Sequence, residues 1–244
     1  MDFGRVPGVC GNEEPHSDMI AQSFKDRLAR LLPDTLRAYL AGRTEAYRTF
    51  VGPEGSYDLA AASQFNLLTM LGLREHQYVL DIGCGGLRAG RLLICYLQPG
   101  RYFGLEPERW LVEAAIHKEL GRELVRLKRP VFDHNADFRL SVFTQRFDYL
   151  LAYSIFSHAT QAQISACLHE AREVMHPGSC FAATFKVGAE NYTGDAWIYP
   201  GHATYTLDRM QELARAAGLA CEPIDWPFRY FENQQMWVVL TVLK

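Results

Sequence analysis

Tyr78-Val79-Leu80-Asp81-Ile82-Gly83-Cys84-Gly85-Gly86-Leu87-Arg88-Ala89-Gly90 is an apolar run that ends in an acid and a glycine-dense turn. A buried parallel strand is a short, nearly continuous apolar run. Glycines just past its end let the backbone turn tightly and approach a ligand closely. Arg91, Leu92, Leu93, Ile94, Tyr96 and Leu97 follow as an amphipathic stretch before the stop at Pro99-Gly100, so the turn opens a helix. Strand, glycine turn and helix make the first unit of a doubly wound α/β sheet, which binds ligands at the carboxyl ends of its strands. The segment predicts a nucleotide-cofactor site.

The dinucleotide pattern G-x-G-x-x-G fails here at one position. Counting from Gly83 and Gly85, the third glycine falls on Arg88, whose bulk opposes the close helix–sheet packing that this glycine serves. A second strand, Arg101-Tyr102-Phe103-Gly104-Leu105, ends in Glu106 and leads into a helix expected over 107–120. A carboxylate at that strand end can accept two hydrogen bonds from a vicinal diol such as a ribose. Dehydrogenases place an acid similarly, and a solvated acid near a helix N-terminus is favourable in any case.

The acid directly before Gly83-Cys84-Gly85 resembles the E/D-x-G-x-G motif of class I S-adenosylmethionine-dependent methyltransferases. Further on, Phe147-Asp148 through Ser157-His158 resembles the fourth strand of that family, "FDxxxAxSxFxH". The resemblance spans roughly residues 57 to 244. It implies a mostly parallel seven-stranded sheet with helices on both faces, the last strand inserted antiparallel between its neighbours. It also implies S-adenosyl-L-methionine as cofactor and S-adenosyl-L-homocysteine as product. The glycines would pack on the methionine moiety, Asp81 would support its amino-acid end and Glu106 the ribose hydroxyls. Asp137 and Phe138 sit where the family places a polar–apolar pair around the adenine, with Asp133 as the alternative acid. The implied cofactor set is Tyr57, Asp81, Gly83, Cys84, Gly85, Arg88, Glu106, Asp137, Phe138, Tyr153 and Ser154.

Composition narrows the function classes. The 244 residues are enough for one large α/β domain with an elaboration. Hydrophobic content of 48% is that of a globular protein, and a net charge of −3 gives no broad attraction to phosphate backbones, so nucleic acid is not the expected partner. Arg122, Arg126, Lys128 and Arg129 alternate with Glu123 and apolar residues, the pattern of a solvated helix face. The 6 cysteines show no CxxC pair or His-flanked metal spacing; they suit a reduced, cytoplasmic protein with no metal site. The polar N-terminus and the lack of any apolar run near ~18 residues argue against a signal peptide and a membrane span.

Ahead of the glycine turn the sequence predicts helices at 17–32, 33–47 and 59–71, with Gly52-Pro53-Glu54-Gly55 as a turn or hinge. The expected division is a helical cap or lid over 1–75 and a catalytic domain over 76–244. Tyr39, Tyr47, Tyr57 and Gln64 are cap residues able to reach inward, Tyr57 foremost because its loop leads into the helix feeding the glycine strand. After the fourth strand, a helix carrying Ile164, Leu168, Ala171 and Met175 stops at His176-Pro177-Gly178-Ser179. A strand over 180–185, a long loop over 187–201, a helix marked by Leu207, Met210, Leu213 and Ala217, a strand over 220–224 and a last strand over 236–243 complete the chain.

Methyl transfer from a sulfonium is an in-line displacement, in which alignment alone can supply ~7–11 kcal/mol. The nucleophile must still lose a proton to a base. His158, just past the fourth strand, is the expected base because histidine titrates near neutrality; the competing reading is a helix-cap or structural histidine. Tyr192, Trp197 and His202, in or just after the long loop, are expected substrate contacts, since a polar, ring-rich loop of that length suits binding. Tyr205 stands behind them. Trp226, Phe228, Tyr230 and Phe231 are either an aromatic acceptor wall or the end of the sheet core. The expected acceptor is a small molecule, a natural product, aromatic heterocycle or sugar, with no membrane partner and with room for a homodimer. The competing functions are an NAD-type oxidoreductase and a non-catalytic cofactor-binding partner protein on the same fold.

Overall fold

The computed structural model describes residues 47–52, 54–226 and 235–244, and the compact unit that holds the sheet begins at Glu45. The helices expected at 17–32 and 33–47, together with Tyr39, Phe228, Tyr230 and Phe231, lie outside the described residues, except for Tyr47.

The strands are β1 (Val79–Ile82), β2 (Tyr102–Leu105), β3 (Val131–Asp133), β4 (Phe147–Ala152), β5 (Met175–Val187), β6 (Thr204–Tyr205), β7 (Leu219–Ile224) and β8 (Gln235–Val242). The helices are α1 (Tyr57–Met70), α2 (Gly90–Tyr96), α3 (Arg109–Ala115), α4 (Arg122–Lys128), α5 (Gln161–Val174) and α6 (Leu207–Ala216). Seven strands run in the order β3-β2-β1-β4-β5-β8-β7, and the two-residue β6 pairs with β5. The neighbours of β1 and β4 are all parallel. β8 lies antiparallel between β5 and β7, the inserted last strand that the resemblance implied.

Alternation along the strands builds two core layers. Leu80, Ile82, Leu105, Leu150 and Phe181 face α5 and α6, packing with Ile164, Leu168, Ala171, Met210 and Ala214. Val79, Tyr102, Leu151 and Trp237 face the other way, onto Leu67 and Leu68 of α1, Leu93 of α2 and Leu111 of α3. β1 and β2 are buried along their whole length, which is why their sequences read as continuous apolar runs. Each fully buried leucine contributes about 1.5–3 kcal/mol relative to exposure.

Two local expectations differ from the structure. The helix expected over 107–120 ends at Ala115, and a single π-helical turn, Ile116–Leu120, carries the chain to Gly121. The stretch His176-Pro177-Gly178-Ser179 lies inside β5, where the ladder to β4 shifts register between Phe147 and Tyr149. The Ser179 hydroxyl donates to the Phe147 carbonyl at 2.6 Å and accepts the His176 N–H at 2.8 Å. It thus substitutes for ladder bonds that Pro177 has no N–H to make.

Candidate active site

The strand order reverses between β1 and β4, the switch point at which a crevice opens above the strand ends. A cavity of about 520 Å³ occupies that position, within the range of small-molecule sites. Asp81, Gly83, Cys84, Gly85 and Arg88 line it from the end of β1, Glu106 from β2, Phe138 from the segment after β3, and Tyr153, Ser154 and His158 from β4. Trp197 of the loop after β5 completes the group of expected site residues on its wall.

The glycine turn is shaped by positive φ angles at Gly83 (69°) and Gly85 (55°). A Cβ on Gly83 would lie 2.0 Å from Ile155 Cδ1, and one on Gly85 would lie 2.6 Å from Val51 Cγ1. Asp81 sits below this turn, 4% exposed, and accepts a hydrogen bond from the Tyr102 hydroxyl at 2.8 Å. Burial pushes its carboxyl up to about 7, against the opposing pull of Tyr102 and Arg88. Burial also raises the Cys84 thiol well above its ordinary range, with the Asp81 and Glu106 charges adding to it, so the thiol stays protonated.

Glu106 is buried, and its two oxygens each accept one backbone hydrogen bond, from Gly85 N and Glu108 N, both at 2.9 Å. Each oxygen keeps a further lone pair. Burial raises its carboxyl above the usual range, and these two N–H groups oppose that rise. Arg88 is buried with its guanidinium 4.6 Å from the centre of the Tyr153 ring. It donates to the Val51 carbonyl at 2.6 Å, while its Nε has no hydrogen-bond partner. Ser154, at φ 62°, is held by its N–H on Thr184 Oγ1 and by hydroxyl contacts to Ser157 and Gln235.

His158 is 5% exposed, and its Nδ1 lies 2.7 Å from the Gly201 carbonyl. A carbonyl can only accept, so Nδ1 carries the hydrogen and Nε2 is the lone-pair nitrogen of the neutral ring. Burial lowers its pKa, partly offset by the Gly201 bond, and the nearby His202 and Lys186 charges lower it further. The long loop is stitched to this segment: Ile198 N donates to His158 O, and Ala203 N donates to Ser157 O. Trp197, Tyr199 and His202 ring the imidazole at centroid distances of 5.7, 5.0 and 5.2 Å.

Several expected residues lie off the cavity wall. Tyr57 is buried beneath the turn and donates to the Gly86 carbonyl at 2.8 Å. Asp137 is exposed, and the cavity is lined there by Asn135, Ala136 and Phe138. Asp133 is taken up by the Asn135 N–H and side-chain amide, which hold its carboxyl below the usual range. Tyr192 packs against the core and donates to the Ala196 carbonyl, and His202 touches His158 from the solvent side. Tyr205 is buried and donates to Ala159 O, while the Trp226 indole bonds Ser63.

Residues the sequence reading missed line the same wall. Phe50 and Val51 reach over the glycine turn, Ile155 crosses it, and Tyr199 donates from the loop to the Phe50 carbonyl. Tyr199 lies two residues from Trp197 in the ring-rich loop, a proximity that could have flagged it; Phe50 and Val51 carry no motif. Gln64, noted on the cap side, also lines the cavity. No helix among the described residues is long and apolar enough to cross a membrane.

Residues 80–181 match the family described as a methyltransferase domain. Among solved structures, the CcbJ methyltransferase from Streptomyces caelestis is 17% identical, with a TM-score of 0.60 over 82% of this chain and 96% of that one. The magnesium protoporphyrin IX methyltransferase ChlM from Synechocystis PCC 6803, with bound SAH, is 12% identical, at 0.58 over 81% and 93%. The glycopeptide N-methyltransferase MtfA complexed with S-adenosyl-L-methionine is 12% identical, at 0.56 over 75% and 94%. At such identities the likeness speaks for the fold, while the family match covers the acid, the glycine turn and the fourth strand. Taken together, the strand order with its inserted β8, the acid–glycine turn at the switch point and the family match identify residues 80–181 as a methyltransferase domain on the fold of the class I S-adenosylmethionine-dependent methyltransferases.

Proposed function

We propose that the protein methylates a small-molecule acceptor, with His158 as general base and with the cofactor lying along the arc from Asp81 to Phe138. The observation that carries this reading is the convergence of Asp81, Glu106 and His158, from three separate strand ends, on one cavity. The bound cofactor would supply an electrophilic methyl group on a sulfonium. Asp81, ionised, would meet its cationic amino end, and the spare lone pairs of Glu106 would accept hydrogen bonds from the ribose hydroxyls. Phe138 would cover the adenine ring. Arg88, buried and with one nitrogen unpaired, fits a carboxylate. His158 Nε2 takes the acceptor's proton as the nucleophile aligns. The described part of the expected cap, residues 47–75, covers the cavity, a role supported by Phe50, Val51 and Gln64 on the cavity wall.

Calorimetric titration with S-adenosyl-L-methionine, S-adenosyl-L-homocysteine and NAD tests the cofactor. Binding of the first two and not of NAD is expected; NAD binding alone would overturn the reading. A screen for S-adenosyl-L-homocysteine release over metabolite fractions then tests turnover, and silence with intact cofactor binding would favour a non-catalytic partner protein.

A further inference from the structure

We infer that the acceptor is a flat aromatic ring carrying an acidic hydroxyl, held against Trp197, Tyr199 and Phe50, and that a polyhydroxylated sugar is excluded. The inference rests on the methyl-transfer reading and specifies its acceptor. With the cofactor arc assigned to Asp81, Glu106 and Phe138, the rest of the cavity is the part walled by His158, Trp197, Tyr199 and Phe50.

Three observations lead there. Phe50, Trp197 and Tyr199 are 38%, 41% and 40% exposed, large rings left open to solvent at the mouth of one cavity. Clustered exposed apolar surface of this kind marks a ligand groove. The Phe50 and Tyr199 rings pack on one another, 5.2 Å between centroids with their planes tilted by 33°, a paired aromatic wall against which a further ring can stack.

The second observation is a hydrogen-bond count. The Tyr199 hydroxyl is spent on the Phe50 carbonyl, the Gln163 amide oxygen on the Thr160 N–H, the Ser154 hydroxyl on Ser157 and Gln235, and His158 Nδ1 on Gly201. A sugar here would find these groups taken, and each of its hydroxyls shut away from water without a partner would cost roughly 1–3 kcal/mol. An aromatic ring needs one polar partner at its hydroxyl, and His158 Nε2 is the uncommitted nitrogen of that imidazole.

Third, the strength of the base matches an acidic hydroxyl. Burial holds His158 below the ordinary imidazole range. Such a base lies far closer to a phenol, with a pKa of about 10, than to the much less acidic hydroxyl of an alcohol or sugar. The phenolic oxygen gives its proton to His158 Nε2 and an electron pair to the methyl carbon. The carbon–sulfur bonding pair leaves with sulfur, so the sulfonium becomes a neutral thioether, and the imidazolium then returns its proton to water.

The test uses the full chain saturated with S-adenosyl-L-homocysteine, titrated with 7-hydroxycoumarin, 2-naphthol and methyl α-glucoside. Both aromatic probes are expected to bind and the glucoside not. Trp197→Ala should weaken ring binding about tenfold, the size of one lost aromatic contact, with homocysteine-product affinity within about twofold; Trp197→Leu guards against a folding defect in the first variant. With the methyl donor present, turnover of ring-substituted phenols should rise as their hydroxyl becomes more acidic. Binding or methylation of the glucoside in preference to the phenols, with cofactor binding intact, overturns the aromatic acceptor and leaves methyl transfer standing. Failure to bind either the methyl donor or its product overturns both.

Discussion

Arg88, from the turn that follows β1, donates to the carbonyl of Val51 at 2.6 Å and so ties the segment over the cavity to the cofactor turn. Val51 in turn fills the space that a side chain at Gly85 would need. Arg88→Met keeps the apolar stem and removes this charged hydrogen bond, a contribution of about 1.5–3 kcal/mol. The expected outcome is cofactor affinity lowered by roughly tenfold or more and faster proteolysis within 47–52. Unchanged calorimetric affinity would mean that the tie is dispensable.

Asp81 gives the protein a pH signature. Its carboxyl is raised by burial to about 7 in the folded protein, well above the unfolded value of about 3.9. Its contribution to the stability of the unliganded protein is therefore full below about pH 4 and lost as pH rises through about 7. On the proposed reading cofactor binding runs the opposite way, because the cationic amino end would need the ionised acid. Affinity should fall by up to about tenfold per pH unit below about 7, and Asp81→Asn should flatten that slope while weakening binding throughout. Calorimetry at pH values spanning roughly one and a half units either side of the titration reads both.

His158→Ala should lower kcat by about 10²–10⁴-fold, the usual weight of a general base, and leave cofactor affinity unchanged. In the parent enzyme kept saturated with methyl donor at every pH, which removes the Asp81 effect, kcat/KM for the acceptor should fall on the acid side as His158 becomes protonated, with an inflection below the ordinary value of about 6.5 because burial disfavours the charged ring. That limb should vanish in the variant. A retained acid limb would assign it to another group.

Gly83→Ala meets a backbone at φ 69° and the end of the Ile155 side chain. The left-handed conformation costs about 1–2 kcal/mol for a residue with a Cβ, visible as a lower urea midpoint. The methyl group would also drive Ile155 toward the cavity and weaken cofactor binding. Adding Ile155→Ala should recover the binding and not the backbone cost. A double-mutant cycle showing no coupling would remove Ile155 from this account.

The parts of the site legible in sequence were those whose chemistry sits beside a strand end. Asp81, Gly83, Gly85, Glu106, Tyr153, Ser154 and His158 all line the cavity because a parallel sheet brings the carboxyl ends of its strands to one edge. Short-range pattern gave no access to contacts made by chain reversal. Phe50 and Val51 reach the cavity across a long stretch of sequence, and Tyr199 meets Phe50 only because the loop after β5 folds back onto the His158 segment. Tyr57 read as a pocket tyrosine, yet its hydroxyl supports Gly86 from below, a distinction that depends on which face of α1 meets the turn. The helix stop read at His176-Pro177-Gly178-Ser179 agrees with α5 ending at Val174, but the turn expected there is strand, because the Ser179 hydroxyl takes over backbone bonding and lets β5 run through a proline.

The carbonyl that fixes the His158 tautomer belongs to Gly201, in the loop that also supplies Trp197 and Tyr199. On the proposed reading, acceptor shape and proton chemistry are therefore inherited together. A loop grafted from another enzyme would bring new walls and, unless it also presented a carbonyl at the place of Gly201, would release the imidazole to rotate or exchange tautomers. Re-engineering the acceptor range of this protein is thus a matter of transplanting the loop with its closing turn intact, while the cofactor side of the crevice, built on β1 and β2, can be left untouched.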